Sequence, residues 1–428
     1  MTLRIGLIGL GVVGAETART LASHAAMIEA RAGQAVRVTE VSARDRSKDR
    51  GIDLAGYVWR DDPLALAASP DVDLVVELIG GAEGMALEAA KTALAGGKHF
   101  VTANKAMIAH HGARLATMAE ANNVSLAFEA AVAGGIPVLK ALKEGLAGNR
   151  IDRVYGILNG TCNFILTEMF ETGRAFDDVL AEAQALGYAE ADPTFDIDGI
   201  DAAQKLAILA ALAFGGAPDF AAVETSGIRN VTDLDIAFAK ELGYRIRLLG
   251  VAVRSDMGIE QRVSACMAPA NAALARIDGV TNAVMIEGVP VGHSLLVGPG
   301  AGGGATASAV VADIVDIASG RGGRGFGAAA ASLGGFKTTP ATARTGAYYV
   351  RLMVIDRPGV IAEVAGIFGR HGVSIESMLQ HGRQPEEPVP VVLTTHETTE
   401  ATMQAVATDL AAVAAAIAPP ILMRIESL

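Results

Sequence analysis

The sequence of 428 residues predicts an α/β protein. It reads as a Rossmann-type doubly wound parallel sheet, a middle α+β domain, and a C-terminal ferredoxin-like βαββαβ domain. Three observations carry this. Up to about residue 130, short apolar strands alternate with Ala-rich helical stretches, the pattern of strands buried on both faces and joined by crossover helices. A glycine triplet, Gly9-x-Gly11-x-x-Gly14, ends the first strand and opens the first helix. Beyond residue 347 the order strand, helix, strand, strand, helix, strand recurs within about eighty residues.

In chain order, LRIGLIG, VRVTEVSA, VDLVVELIG, HFVTA and VSLAFEA are strand-like, with helices over Ala15 to Ala32 and Gly84 to Gly96. The middle region carries helical patterns at 135–147, 176–186 and 200–214 and strand-like VYGILNG, YRIRLLGVAVRS and EQRVSACMA. Residues 319–346, rich in Gly, Ala, Thr and Arg, read as a linker. The last region gives YYVRLMVI, a helix from about Val360 to Arg370, VSIESMLQ, a loop around Pro385 to Pro388, VPVVLTTH, a helix from about Thr399 to Ala416, and ILMRIESL. The division is therefore 1–134 for a dinucleotide-binding domain, with 300–318 returning to it, 135–299 for a catalytic domain, and 347–428 for the terminal one.

Composition excludes several classes. No run of eighteen apolar residues lacks Gly or charge, so no membrane span is expected. The N-terminus reads as a buried strand rather than a secretory signal. Two cysteines, Cys162 and Cys266, make no disulfide framework and suit a reducing cytoplasm. A net charge of -12 with sparse basic clusters argues against nucleic acid.

The segment Gly9-Leu10-Gly11-Val12-Val13-Gly14 lets backbone approach a pyrophosphate, which then sits against the free N–H groups at a helix start. After the second strand comes Arg44, a guanidinium able to pair with a 2′-phosphate, so NADP is favoured; Asp45 keeps NAD possible. HFVTA leads to Lys105 at the carboxyl end of a strand, where ligands of open α/β sheets bind. Lys105 could there hold a carboxylate, a carbonyl oxygen or the cofactor. In NGTCNF, Asn159 and Thr161 read equally as helix caps or catalytic groups, and Cys162 as packing. GPGAGGGATASAVVADIV, with Gly302 and Gly303, is a second glycine-rich entry to a helix that can bring amides to the cofactor.

The stretch GYAEADPTFDIDGIDAAQKLAIL sets Glu190, Asp192, Asp196, Asp198 and Asp201 ahead of Lys205. Asp201 and Lys205 are four apart and share a helical face. Most such pairs are solvated. Here Ala202, Ala203, Leu206, Ala207, Ile208 and Leu209 surround them, and a lysine stripped of hydration is fitted to hand over a proton.

VTANKA, GILNGTCNFIL, LGYAEADPTFDIDGIDAAQKL and GAGGGATASAVVAD together resemble homoserine dehydrogenases over roughly residues 3 to 318, and YYVRLMVIDRPGVIAEVAGIFGRHGVSIESM resembles an ACT domain. The resemblance implies NAD(P)-dependent interconversion of L-homoserine and L-aspartate 4-semialdehyde, within threonine, methionine and isoleucine synthesis. It implies Lys205 as proton donor, Asp201 holding substrate and lysine, Lys105 between cofactor and substrate, and Glu190 on the substrate amino group, with Asp196 in the same substrate-binding set. Gly187 and the glycines near Gly302 would touch the nicotinamide side. A monovalent cation such as Na+ would lie at Glu129 and the backbone of Val132, Gly134 and Ile136. It also implies a homodimer or homotetramer and an amino-acid effector at the ACT domain, threonine first, at Asp356 to Gly359 and the facing strand Val373 to Met378. Two rivals stand beside this reading: a dehydrogenase for another amino-acid aldehyde, and a non-catalytic metabolite sensor. A sensor needs no proton donor.

Overall fold

The computed structural model describes residues 2–381 and 387–428. The loop expected around Pro385 to Pro388 falls partly outside the described residues.

The first sheet holds β1 (Thr2–Ile8), β2 (Ala35–Ser42), β3 (Val58–Trp59), β4 (Leu74–Glu77), β5 (His99–Thr102) and β6 (Leu126–Ala127) in the order β3-β2-β1-β4-β5-β6. Every pairing is parallel. Ile5, Leu7, Ile8, Val75 and Val101 are fully buried, as strands covered on both faces must be. Strand order reverses between β1 and β4, which opens a ligand crevice at their carboxyl ends. Helix Gly303–Ala318 comes back to this sheet, with Val310 and Ile314 in the same apolar cluster as Ile5 and Leu7.

The second sheet is built from β7 (Arg150–Ile157), β8 (Glu224–Thr225), β9 (Tyr244–Ser255), β10 (Gly258–Pro269), β11 (Thr281–Val289) and β12 (Gly292–Pro299). It continues directly into β13 (Thr345–Ile355), β14 (Ile375–Gln380), β15 (Pro388–Thr395), β16 (Thr398–Thr399) and β17 (Ile421–Ile425). The junction is a short parallel pairing, Cys266 with Arg424 and Met267 with Ile425. Within the terminal domain the order is β17-β13-β15-β14, and helices Val360–Arg370 and Glu400–Ala411 close its apolar core. This is the ferredoxin-like arrangement that the sequence predicts.

Several bounds differ from the sequence reading. The helix expected over Ala15 to Ala32 is two, Val12–Ser23 and Ala25–Ala32, separated where His24 leaves helical backbone angles. The helix expected at 135–147 starts at Val138, because Ile136 precedes Pro137 and is thereby steered away from helix. It then widens into a π turn over Ala141–Gly145. The β11–β12 hairpin is absent from the sequence reading. Half of β12 faces solvent at the sheet edge, so its apolar residues mark no buried face.

Residues 319–346, read as a linker, are packed against the body. Ile259 N donates to Lys337 O (2.7 Å) and Thr339 N to Ile259 O (3.0 Å), while the Phe336 ring meets Phe214 edge-on. Two charge clusters pin the terminal domain as well. Asp235, fully buried in helix Asp233–Glu241, accepts from Arg351 Nε (2.6 Å) and Nη2 (3.0 Å), Tyr349 OH (2.9 Å), and Thr232 N and Oγ1 (3.0 and 2.8 Å). Glu426 accepts from Arg262 Nη2 (2.6 Å) and Arg153 Nη2 (3.0 Å). Asp235→Ala leaves the Arg351 charge buried and unpaired, so it should cost about 3–5 kcal/mol in denaturant unfolding. A cost below about 1 kcal/mol would show the cluster to be incidental to stability.

Candidate functional site

A cleft of about 890 Å3 opens between the carboxyl edge of the first sheet and the helical face of the second. Its walls bring together Val13, Lys105, Gly187, Gly302, Asp196, Asp201 and Lys205, which lie between positions 13 and 302 of the sequence.

On the catalytic side, helix Ile200–Phe214 begins at Gly199, whose left-handed backbone (φ 84°) turns the chain into it. Asp201 and Lys205 lie one turn apart on this helix, and both are buried. Lys205 Nζ donates to Asp201 Oδ2 (2.7 Å) and to the Leu158 carbonyl (2.7 Å). An ammonium has three N–H donors, which leaves one for the cleft. Lys105 Nζ lies 3.1 Å from Asp201 Oδ1. It heads helix Lys105–Ala121, whose start is fixed by Asn104: its Oδ1 accepts from Met107 N (3.0 Å) and its Nδ2 donates to Gly81 O (2.7 Å). The Phe195 ring faces the Lys105 ammonium at 5.5 Å.

Asp201 is thus held by two ammonium groups and by Asn159 Nδ2 (2.9 Å). Burial alone would push its carboxyl up; Lys205 and then Lys105, with hydrogen bonds from Lys205 and Asn159, outweigh it and hold it at about 2. Asp196, by contrast, is raised by its burial despite the Asn159 hydrogen bond at 2.8 Å. Asn159 caps its helix through Cys162 N (2.8 Å) and also ties the two carboxylates together. Asn159 is thus the cap that the sequence offered as one reading, and it also donates to two carboxylates that line the cleft. Burial pushes the Cys162 thiol far up, which suits packing and not nucleophilic work. The Leu158 carbonyl and the Phe195 ring carry no sequence signal, because each depends on contacts across the fold. Glu190 lies exposed outside the cleft wall, just beyond Gly187 and Tyr188, which line it.

On the nucleotide side, Gly9 has φ 98°, and a Cβ at Gly14 would stand 2.0 Å from the Gly9 carbonyl oxygen, so only glycine lets strand and helix close this turn. The first turn of helix Val12–Ser23 has no side-chain cap, and Gly11 has open space around it. Free amides facing open space fit a pyrophosphate. Leu10 is buried and its carbonyl accepts from Arg50 Nε (3.0 Å), while Val12 is exposed. Gly303 abuts Val12, bringing the start of helix Gly303–Ala318 beside the first helix at the cleft. Arg44 is exposed and makes no hydrogen bond or ion pair among the described residues. Asp45 is turned onto Ser47, accepting from its N (2.8 Å) and Oγ (2.6 Å).

Behind the cleft, Glu129 is buried and its two oxygens accept from Leu139 N and Lys140 N (2.9 Å each). No cationic side chain pairs with it within 4 Å among the described residues. Val132 and Ile136 are buried beside it, and Gly134 has φ 50° against the Gly300 backbone. Burial, with the Asp313 carboxylate next, pushes Glu129 up to about 7. No helix among the described residues is long and apolar enough to cross a membrane.

Family models match in three blocks: the homoserine dehydrogenase NAD binding domain over residues 9–129, homoserine dehydrogenase over 137–315, and an ACT domain over 348–415. A homoserine dehydrogenase of Neisseria gonorrhoeae is 45% identical over 432 residues, covering 100% of this chain and 99% of its own length. One from Pseudomonas aeruginosa is 44% identical, with 100% and 99% covered. The crystal structure of a homoserine dehydrogenase from Thiobacillus denitrificans superposes with a TM-score of 0.94 at 44% identity, covering 100% of this chain and 99% of that one. A hyperthermophilic archaeal homoserine dehydrogenase in complex with NADPH matches 74% of this chain and 98% of its own, with a TM-score of 0.63 at 29% identity. The chain therefore belongs to the homoserine dehydrogenase family, as an NAD(P)-dependent oxidoreductase with a C-terminal ACT domain.

Proposed function

We propose that the cleft interconverts L-homoserine and L-aspartate 4-semialdehyde, with NADP as the preferred cofactor and Lys205 as the group that moves the proton. The observation that carries this is the buried Asp201 carboxylate, which fixes two ammonium groups at the mouth of the nucleotide crevice. When bound, the nicotinamide exchanges a hydride with the carbon that becomes aldehyde or alcohol. In the reducing direction Lys205 gives its third N–H proton to the aldehyde oxygen; in the oxidising direction it takes that proton back. Lys105 stabilises the developing alkoxide from the other side of Asp201. Asp201 orients both lysines, and with Asp196 it offers carboxylate oxygens to the substrate. Glu190, exposed beside Gly187 and Tyr188, is assigned to the substrate ammonium group on resemblance alone.

Support for NADP comes from Arg44 and Asp45. The guanidinium makes no hydrogen bond or ion pair among the described residues, while Oδ1 of Asp45 is already taken by the N and Oγ of Ser47, which leaves one carboxylate oxygen for a ribose hydroxyl. The archaeal relative with NADPH fits this preference. A monovalent cation suits Glu129, a buried carboxylate with no cationic side chain within 4 Å among the described residues, together with the backbone of Val132, Gly134 and Ile136. Assembly into a homodimer or a larger homo-oligomer suits the edge strand β12 and its hairpin, where Val289, Val291, Leu295 and Val297 face solvent. The ACT domain is the proposed seat of amino-acid feedback, threonine first, at Asp356 to Gly359 and Val373 to Met378.

Lys205→Ala should lower kcat for homoserine oxidation by about 10²-fold or more while NADPH still binds, as followed by absorbance and by cofactor fluorescence. Activity within a few-fold of the parent would remove Lys205 from its role. Arg44→Ala should raise KM for NADPH about tenfold and leave NADH unchanged; equal effects on both would refute the 2′-phosphate contact. For Glu129 the folded carboxyl sits at about 7, above its ordinary 4.5. Cation-free protein therefore loses stability as pH rises from about 4.5 through about 7, and the ionised form is what a cation relieves. The gain in Tm from exchanging tetramethylammonium for sodium should accordingly be larger at about pH 8 than at about pH 5. An equal or absent gain at both values would rule out a cation at Glu129.

A further inference from the structure

The carboxyl edge of the first sheet carries a buried acid outside the Asp201 cluster. Glu77 is the last residue of β4 and is fully buried. Leu74, Val75 and Val76 before it follow the apolar pattern of a strand covered on both faces, and Glu77 departs from that pattern. Its Oε1 accepts from Ile79 N (2.7 Å) and Gly80 N (2.9 Å), and its Oε2 accepts from Thr102 Oγ1 (2.6 Å). A carboxylate taken out of water is costly unless donors answer it, and these three do so without a charge among them.

The donors belong to the two segments that follow β4 and β5 at the ligand crevice. Glu77 and Thr102 stand opposite each other in the last rung of the parallel β4–β5 ladder. The Thr102 hydroxyl has one proton; with that proton on Glu77, its oxygen accepts from Asn104 N (2.9 Å). Asn104 caps the helix that Lys105 opens, and its Nδ2 donates to Gly81 O (2.7 Å), next to Gly80. Glu77, Thr102, Asn104 and the 79–81 turn therefore close a ring of hydrogen bonds at the start of that helix. From there Lys105 Nζ crosses to Asp201 Oδ1 (3.1 Å).

We infer that Glu77 is a positioning residue for the reaction: through Thr102 and Asn104 it fixes where the Lys105 helix starts, and so keeps the Lys105 ammonium on Asp201. The assignment rests on the part proposed above for Lys105 and adds the residue that holds it. The direction of the hydrogen bonds makes it specific. A glutamine at 77 keeps one oxygen for the two amides but turns its other end into a donor. Thr102 Oγ1 then accepts from both that donor and Asn104 N, and its own proton is left buried without an acceptor. The cost falls on the Thr102–Asn104 limb, while the 79–81 turn keeps its acceptor.

The test compares full-length Glu77→Gln, Thr102→Val and Thr102→Ser in homoserine oxidation. Misplacing a catalytic group by about 1 Å can cost about 10²-fold, and loss of one limb of the ring should lower kcat about tenfold in Glu77→Gln and in Thr102→Val. KM for NADP should stay within about threefold of the parent in both, and Thr102→Ser, which restores the hydroxyl, should bring kcat back to within about threefold. In a Lys105→Met background the same two substitutions should lower kcat by less than about twofold, because the group they misplace is gone. Crystals of Glu77→Gln, or of Thr102→Val if the first variant does not fold, should show Lys105 Nζ more than about 4 Å from Asp201 Oδ1. An equal loss in both backgrounds, a loss confined to KM, or an unmoved Lys105 overturns the assignment. Lys105→Met alone reports separately on the catalytic reading: turnover near that of the parent refutes a part for Lys105 in the reaction, and with it any part for Glu77 in positioning it for catalysis.

Discussion

The arrangement of the cleft depends on one buried carboxylate. Asp201 takes an ammonium on each oxygen, from Lys205 on its own helix and from Lys105 on the first domain, and Asn159 completes its shell. A carboxylate in such burial is costly unless it is paired and hydrogen-bonded. Here the pairing spans the two domains, so the same contacts that keep Asp201 ionised also hold the nucleotide crevice against the catalytic helix. Removing the charge would take the shared anion from both lysines at once, leaving Lys205 only the Leu158 carbonyl.

Much of this was legible in the sequence because it is local. The Gly9–Gly14 turn, the i,i+4 spacing of Asp201 and Lys205, and Lys105 after a sheet strand each follow from short-range geometry. The apolar neighbours of Lys205 correctly signalled its burial. The ion pair between Lys105 and Asp201 was not legible, since it joins residues 96 positions apart across a domain boundary. Asn159 was seen only as an even choice between a cap and a catalytic group, and it serves both carboxylates while capping its helix. The edge strand β12 left no period-two signal, because its apolar residues Leu295, Leu296 and Val297 are consecutive and Leu295 and Val297 face outward.

The terminal domain shows the same limit of local reading. Its βαββαβ order was evident in the sequence, but its attachment was not. The pairing of β17 with β10 rests on a two-residue register match, and Asp235 and Glu426 rest on arginines that no motif marks. Together they make the ACT sheet an extension of the catalytic sheet, and the segment 319–346 a packed strap. Through β10, which pairs with β17, and β8, the joined sheet packs on Gly199, the glycine that starts the helix of Asp201 and Lys205.

The most direct measurement of the central claim is a crystal structure of the ternary complex with NADP and L-homoserine. The account predicts the substrate hydroxyl within about 2.6–3.2 Å of Lys205 Nζ, with Asp201 still bridging both lysines. A hydroxyl held by another group, with Lys205 Nζ more than about 5 Å away and no water between them, would contradict it.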